Sequence, residues 1–150
     1  METIRVTIDK REVLAEVAKA TDYTGTKLMG DDPGARERIL AADADLVDLN
    51  RFWSEAILAM NERLKSMLVS GTDSATAYTA SIEVSLSFDK TLTISVQSAL
   101  RSFFIACIIG KWFVFANKQE AADYLAQASV LLDDTERLLY SRKRPAIPRD

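Results

Sequence analysis

Apolar residues recur along this chain in two rhythms, and each change of rhythm marks an element. Thr3 to Ile8 alternates, with Ile4, Val6 and Ile8 on one side, which predicts a short strand. Asp9-Lys-Arg-Glu12 has the spacing of a capping box, although the motif prefers Ser or Thr first. Val13, Leu14 and Val17 then give a short helix one apolar face, ending near Thr21. Gly25, Gly30, Pro33 and Gly34 predict a loop from Asp22 to Gly34. From Ala35 to Ser70 the step becomes three or four. Ile39, Ala42, Leu46, Leu49, Trp53, Ala56, Met60, Leu64 and Met67 form one stripe, which predicts a long helix stopped at Ser70-Gly71. Arg51 and Glu55 have the spacing of a helical ion pair.

Period two returns after a polar entry at Thr72–Thr79. Ile82, Val84, Leu86 and Phe88 alternate with polar residues, and so do Leu92, Ile94 and Val96. A β-hairpin over 72–97 follows, with Phe88 opposite Leu92 and with Phe88, Asp89 and Lys90 at a projecting tip offered to a neighbour. Two strands alone are marginal in water, so the apolar face must lie on a helix, on the 3–8 strand or on another subunit.

Ser98 can cap the next helix, which is apolar all round through Phe103, Phe104, Ile105, Cys107, Ile108, Ile109, Trp112, Phe113, Val114 and Phe115. Such a helix is central. Its Lys111 can snorkel, lying along apolar surface with its ammonium in water. Asn117-Lys-Gln-Glu120 is a second cap-like spacing and predicts a break. The stripe Ala121, Leu125, Ala128, Leu132, Thr135 and Leu139 then predicts a helix to about Arg142, antiparallel to its predecessor. Beyond it Pro145 and Pro148 favour an extended arm. Four of the nine residues from Arg142 to Asp150 are basic. Arg142, Lys143, Arg144, Pro145, Ile147, Pro148 and Arg149 are therefore candidate partner-binding residues, since a stiffened arm loses less entropy on docking.

The expected fold is one mainly α (α+β) domain over 1–150, a small helical bundle with a long central helix, a projecting hairpin and a basic C-terminal arm. Composition narrows function by exclusion. The chain contains no His, so the usual general base near neutral pH is missing. A lone Cys107 cannot form an internal disulfide or a multi-thiolate zinc site, and its apolar surroundings suit a core residue rather than a reactive thiol. Glu37, Asp43, Asp45 and Asp48 make an acidic cluster without the glycine-containing loop of a calcium site, so a solvated or subunit-facing surface is expected. Glu12, Asp43, Asp45 and Glu62 are available carboxylates, but nothing pairs them around a pocket. No catalytic residue, cofactor or metal is expected. The run Phe103–Ala116 is only 14 residues and holds Lys111. A spanning helix needs roughly 20 apolar residues, so no membrane partner is expected. Residues 2–12 lack the apolar core of a signal peptide, and synthesis in the cytoplasm is expected.

Over Ser98–Pro145 the chain resembles the head–tail connector (adaptor, head-completion) proteins of tailed bacteriophages. The residues that carry the likeness are the helix ending Lys111-Trp112-Phe113, the break at Asn117, the start Glu120-Ala121-Ala122 and the close Leu138-Leu139-Tyr140-Ser141-Arg142. The resemblance implies a non-enzymatic virion protein at the neck. It implies a homo-oligomeric ring, twelve-fold in that family, bound to the portal protein and to tail or second connector proteins. DNA would pass through such a ring without sequence-specific binding. The alternative is a small nucleic-acid-binding or regulatory helical protein using its basic tail. Against it stand the formal charge of −3 and the absence of aromatic residues in the tail.

Overall fold

The computed structural model describes residues 1–28 and 46–143, with side chains over 1–22, 46–114 and 117–143. The order is β1 (Glu2–Asp9), α1 (Lys10–Leu28), α2 (Leu46–Arg63), β2 (Leu68–Asp73), β3 (Ala77–Val84), a 3-10 turn (Lys90–Leu92), α3 (Thr93–Ala116) and α4 (Lys118–Leu139). The molecule is mainly helical, with a small three-stranded antiparallel sheet.

The sheet order is β1-β3-β2. Its register follows from alternation. Ile4 faces Ile82, Val6 faces Ala80 and Ile8 faces Tyr78, and all six are buried. Thr3–Glu83, Arg5–Ser81 and Thr7–Thr79 fill the other, polar face. One residue of slip would exchange the two faces, so burial pins the pairing. Asp9 caps α1 as its spacing predicts: the Glu12 N–H donates to Asp9 Oδ1 at 3.0 Å.

The long predicted helix is shorter at its end. Within it Leu49, Trp53, Ala56, Met60 and Leu64 are buried on one stripe, but α2 stops at Arg63. Ser70-Gly71 lies inside β2 rather than ending a helix. Gly71 is there because β3 comes close: a Cβ at this position would sit 2.1 Å from the Tyr78 hydroxyl. α1 extends to Leu28, past the predicted stop at Thr21 and through Gly25. One glycine costs a helix only about 1 kcal/mol. The remainder of the predicted 22–34 loop and the first third of the predicted 35–70 helix lie outside the described residues.

The predicted hairpin, with Phe88 opposite Leu92, does not form; a different hairpin lies earlier in the chain. Its strands are β2 and β3, joined at residues 74–76, where Ser74 Oγ accepts from the Ala77 N–H at 3.1 Å. The period-two pattern of Tyr78, Ala80, Ile82 and Val84 begins inside the stretch read as a polar entry. The predicted second arm, Leu92–Val96, is helical. Leu92, Ile94 and Val96 alternate, but Val96 also stands four before Leu100, and Leu100 three before Phe103. The helical reading wins because Val96, Leu100, Phe103 and Cys107 form one buried stripe, which leaves Ile94 80% exposed. α3 therefore starts at Thr93 rather than Ser98.

α3 is the axis of the molecule. Leu100, Phe103, Phe104, Ala106, Cys107, Ile108, Ile109 and Phe113 are all buried, under the sheet, α1, α2 and α4. The helix is long and apolar enough to span a bilayer by length and composition, yet it is the core helix of this fold. Trp53 meets Phe104 edge to face with ring centroids 5.0 Å apart, and Phe103 meets Phe104 likewise at 5.7 Å. Asn117 breaks the chain as predicted, and its Oδ1 accepts from the Glu120 N–H at 3.3 Å. α4 then returns antiparallel. The turn brings Phe113 to Tyr124, centroids 5.8 Å apart, and Gly110 against Leu125, where a Cβ would meet that side chain at 2.8 Å.

Candidate interaction site

The sequence singles out the end of α4, the arm beyond it and the residues 88–90. The structure brings the described part of these together. After α4 the chain turns at Tyr140 and runs antiparallel to residues 85–88. Arg142 pairs with Phe88 in an isolated β-bridge, and the Lys143 N–H donates to the Ser87 carbonyl at 2.6 Å. Arg144, Pro145, Ile147, Pro148 and Arg149 lie outside the described residues.

The three tip residues are placed otherwise than predicted. Phe88 is 0% exposed, an anchor of the core and no contact for a neighbour. The loop that holds it is tied internally: the Phe88 N–H donates to the Ser85 carbonyl at 3.0 Å, and the Ser85 and Ser87 hydroxyls lie 2.9 Å apart. Asp89 caps the 3-10 turn. Its Oδ1 accepts from Thr91 Oγ1 at 2.6 Å and from the Thr91 N–H at 3.1 Å. Those two bonds, with Lys143 nearby, hold the Asp89 carboxyl below its ordinary value. Lys90 folds back on the first strand, its Nζ 3.0 Å from Glu2 Oε2. The side chains of Arg142 and Lys143 remain exposed, because only their backbone is used in the bridge.

Beside the bridge lies a groove of about 280 Å³. Met67 and Leu139 supply apolar lining, Tyr140 and Arg142 line it from the end of α4, and Glu83 and Ser85 from the end of β3. Tyr140 is 62% exposed and neighbouring Leu86 is 66% exposed, so apolar surface continues onto the rim. Sequence reasoning missed Glu83, Met67 and Tyr140 as site residues. The only signal was Tyr140, a large aromatic just after the last position of the buried stripe.

A larger groove of about 650 Å³ lies between α1, α2 and the β2–β3 turn, where Lys10 and Arg11 are its charged lining residues among those described. Lys10 Nζ also stands 5.8 Å from the Trp53 ring centre, and Trp53 Nε1 donates to Asp73 Oδ1 at 3.1 Å. These contacts tie α1, α2 and β2 to each other.

The carboxylates noted in the sequence are dispersed. Glu12 pairs with Arg101 at 3.5 Å, Glu62 with Lys65 at 3.0 Å and Asp48 with Arg51 at 3.7 Å. Glu55, expected to pair with Arg51, meets Lys111 instead, at 3.1 Å. Lys111 does snorkel, carrying its ammonium from the core helix to the surface of α2. Glu37, Asp43 and Asp45 lie outside the described residues. Among the described residues no three His, Cys, Asp or Glu side chains are close enough together to hold a metal. Cys107 is buried, and that burial pushes its thiol pKa up, away from the thiolate form a nucleophile needs. Arg63 joins α2 to α4 through Asp133 and, at 3.6 Å, Glu136. The hydrogen bond to Asp133, before other causes, raises the Arg63 pKa further. The described site thus combines a basic exit from α4, an apolar groove and the Glu83 side chain beside it.

Comparison of the chain with known protein families, with curated proteins and with solved structures found no match.

Proposed function

We propose that this chain is a non-enzymatic structural subunit of a tailed-phage neck, one copy of a ring that joins the portal to the tail. The observation that carries the reading is the backbone bridge of Arg142 and Lys143 on Ser87 and Phe88. It gives a basic, proline-stiffened arm a fixed point of departure from a rigid helical pair, as a grasping element needs. The likeness of 98–145 to the connector family supports the same conclusion. Contacts of one arm with the next copy are head-to-tail and close into a ring when the rotation permits.

Negative-stain images and light-scattering mass of the full chain, alone and mixed with the portal ring of the same phage, test the proposal. Rings, or a layer of this chain seated on the portal, are expected. Truncation after Lys143 keeps the bridge, so it leaves the far-UV spectrum unchanged while abolishing the rings. A full chain that stays monomeric in both settings overturns the reading. Tight, steeply salt-dependent binding to DNA would instead favour a nucleic-acid-binding protein.

A further inference from the structure

We infer that the outer edge of β2 pairs with β2 of a second copy of this chain, antiparallel about a two-fold axis at Thr72, so that two sheets join into one. The edge is open: β2 is an outer strand of the sheet, and Val69 to Asp73 are exposed. The direction of its backbone groups is fixed. The Ser74 N–H donates to the Ala77 carbonyl at 2.9 Å. Alternate residues of an antiparallel strand face the same neighbour, so Thr72 and Ser70 also turn their groups toward β3. The other side of β3 agrees. The Thr7 N–H is taken by Gln97 Oε1 and so points away from β3, which leaves Thr79, opposite both Thr7 and Thr72, to bond β2. Gly71 and Asp73 therefore direct N–H and C=O away from the sheet, and no described residue meets those groups.

Edges are ordinarily guarded by Lys, Pro, a bulge or a covering element. Leu68–Asp73 holds neither Lys nor Pro, and its bulge, between Leu68 and Ser70, spares residues 70–74. β1, the other outer strand, is guarded: Gln97 occupies its Thr7 N–H and Lys90 clasps its Glu2. An identical copy therefore meets β2 with β2. Residues 70–74 are complementary to themselves. In the register centred on Thr72, Gly71 of each copy faces Asp73 of the other, and the outward groups of these residues close four hydrogen bonds. Thr72 faces Thr72 as the close pair without backbone bonds, and Ser70 faces Ser74, so hydroxyls meet hydroxyls and no two charges stand directly opposite. Gly71 has no side chain, which leaves room for the Asp73 carboxylate that Trp53 Nε1 holds.

Apolar surface flanks the edge. Asn61 Oδ1 accepts from the Tyr78 hydroxyl where that ring crosses Gly71, so this face of α2 lies beneath β2. Leu58 stands one helical turn before Asn61, shares its face and is exposed, and so is Val69 on the strand. Both leave water when two edges join. The pairing is isologous, whereas the arm contacts of the proposed ring are head-to-tail, so it does not rest on the neck reading.

Sedimentation equilibrium of the full chain is the test, with exposed Thr72 as the probe. Pairing doubles the mass of whatever the chain forms, dimer from monomer or paired rings from single ones. Thr72→Lys and Thr72→Glu each set like charges on Cα atoms about 4.5 Å apart across the axis. Each alone should halve the mass while the far-UV spectrum stays unchanged. An equimolar mixture of the two variants should restore it, because only a contact of residue 72 with residue 72 turns repulsion into attraction. A chain that is monomeric at millimolar concentration, a mass indifferent to Thr72→Lys, or a mixture no heavier than either variant overturns the inference. Dimers without rings on the portal would sink the neck reading and leave the edge pairing standing; rings whose mass ignores Thr72→Lys would do the reverse.

Discussion

Phe88 has the pattern of an exposed tip and the environment of a core residue. It follows three alternating apolar residues, and an Asp-Lys-Thr turn comes next, so the sequence pattern points it outward. In the fold it is among the largest fully buried side chains. Phe88→Ala should therefore cost about 3–5 kcal/mol, as for other buried aromatics, and a urea melt followed by fluorescence would read it. Asp89 beside it carries a pH dependence. Its carboxyl is held below its ordinary value, chiefly by the Thr91 hydroxyl and then by the Thr91 N–H. A depressed carboxyl stabilises the fold above the ordinary carboxylate range, and the contribution is lost as pH falls through the folded value. Thr91→Ala should move the Asp89 carboxyl titration, read by NMR, upward toward the ordinary value. It should lower stability at neutral pH and have little effect in strong acid.

At the scale of elements, two close approaches decide how the pieces fit. Neither glycine has a positive φ, so the need for glycine is space and not backbone conformation. Gly110 lets α4 lie against α3, with Leu125 side-chain atoms 2.8 Å and its backbone nitrogen 3.2 Å from where a Cβ would stand. Gly110→Val should destabilise by about 1–3 kcal/mol through overpacking, measured as a lowered urea midpoint, because the backbone nitrogen cannot move aside as a side chain can. Gly71 lets Tyr78 cross β2 and reach Asn61 Oδ1 at 2.7 Å. Gly71→Ala should displace that hydroxyl, and burial, which already raises the Tyr78 pKa, would no longer be matched by the bond to Asn61. A further rise in the Tyr78 titration midpoint, followed by ultraviolet absorbance, is the expected result. In the sequence Gly71 reads as a helix stop, while Gly110 is an unremarked residue in an apolar run.

At the scale of the molecule, one core joins sheet and helices. Ile4 of β1, Trp53 of α2, Ile82 of β3, Phe104 of α3 and Leu132 of α4 belong to the same buried cluster. Thermal unfolding should accordingly be a single transition, with near- and far-UV circular dichroism superimposing. Two resolved transitions would show that the sheet and the helical pair are separate units. Deletion from Arg142 onward should lower the midpoint of that transition more than truncation after Lys143, since only the first removes the bridge to Phe88.

Local rules settled the elements whose evidence lies within a few residues. The alternation in 3–8, the caps at Asp9 and Asn117, and the apolar faces of α2, α3 and α4 are all visible as spacing, because helix and strand periods are properties of the backbone. Tertiary structure decided what spacing leaves degenerate. Leu92, Ile94 and Val96 fit period two, but burial of Val96 in register with Leu100 and Phe103 made them helix. Residues 68–73, mixed in polarity and holding a glycine, became a strand only because β3 offered a partner and Tyr78 needed the space over Gly71. The groove at the root of the arm was likewise invisible, since Met67, Glu83 and Leu139 come from three distant segments. Periodicity is local, whereas the partner that buries a face is chosen by the whole chain.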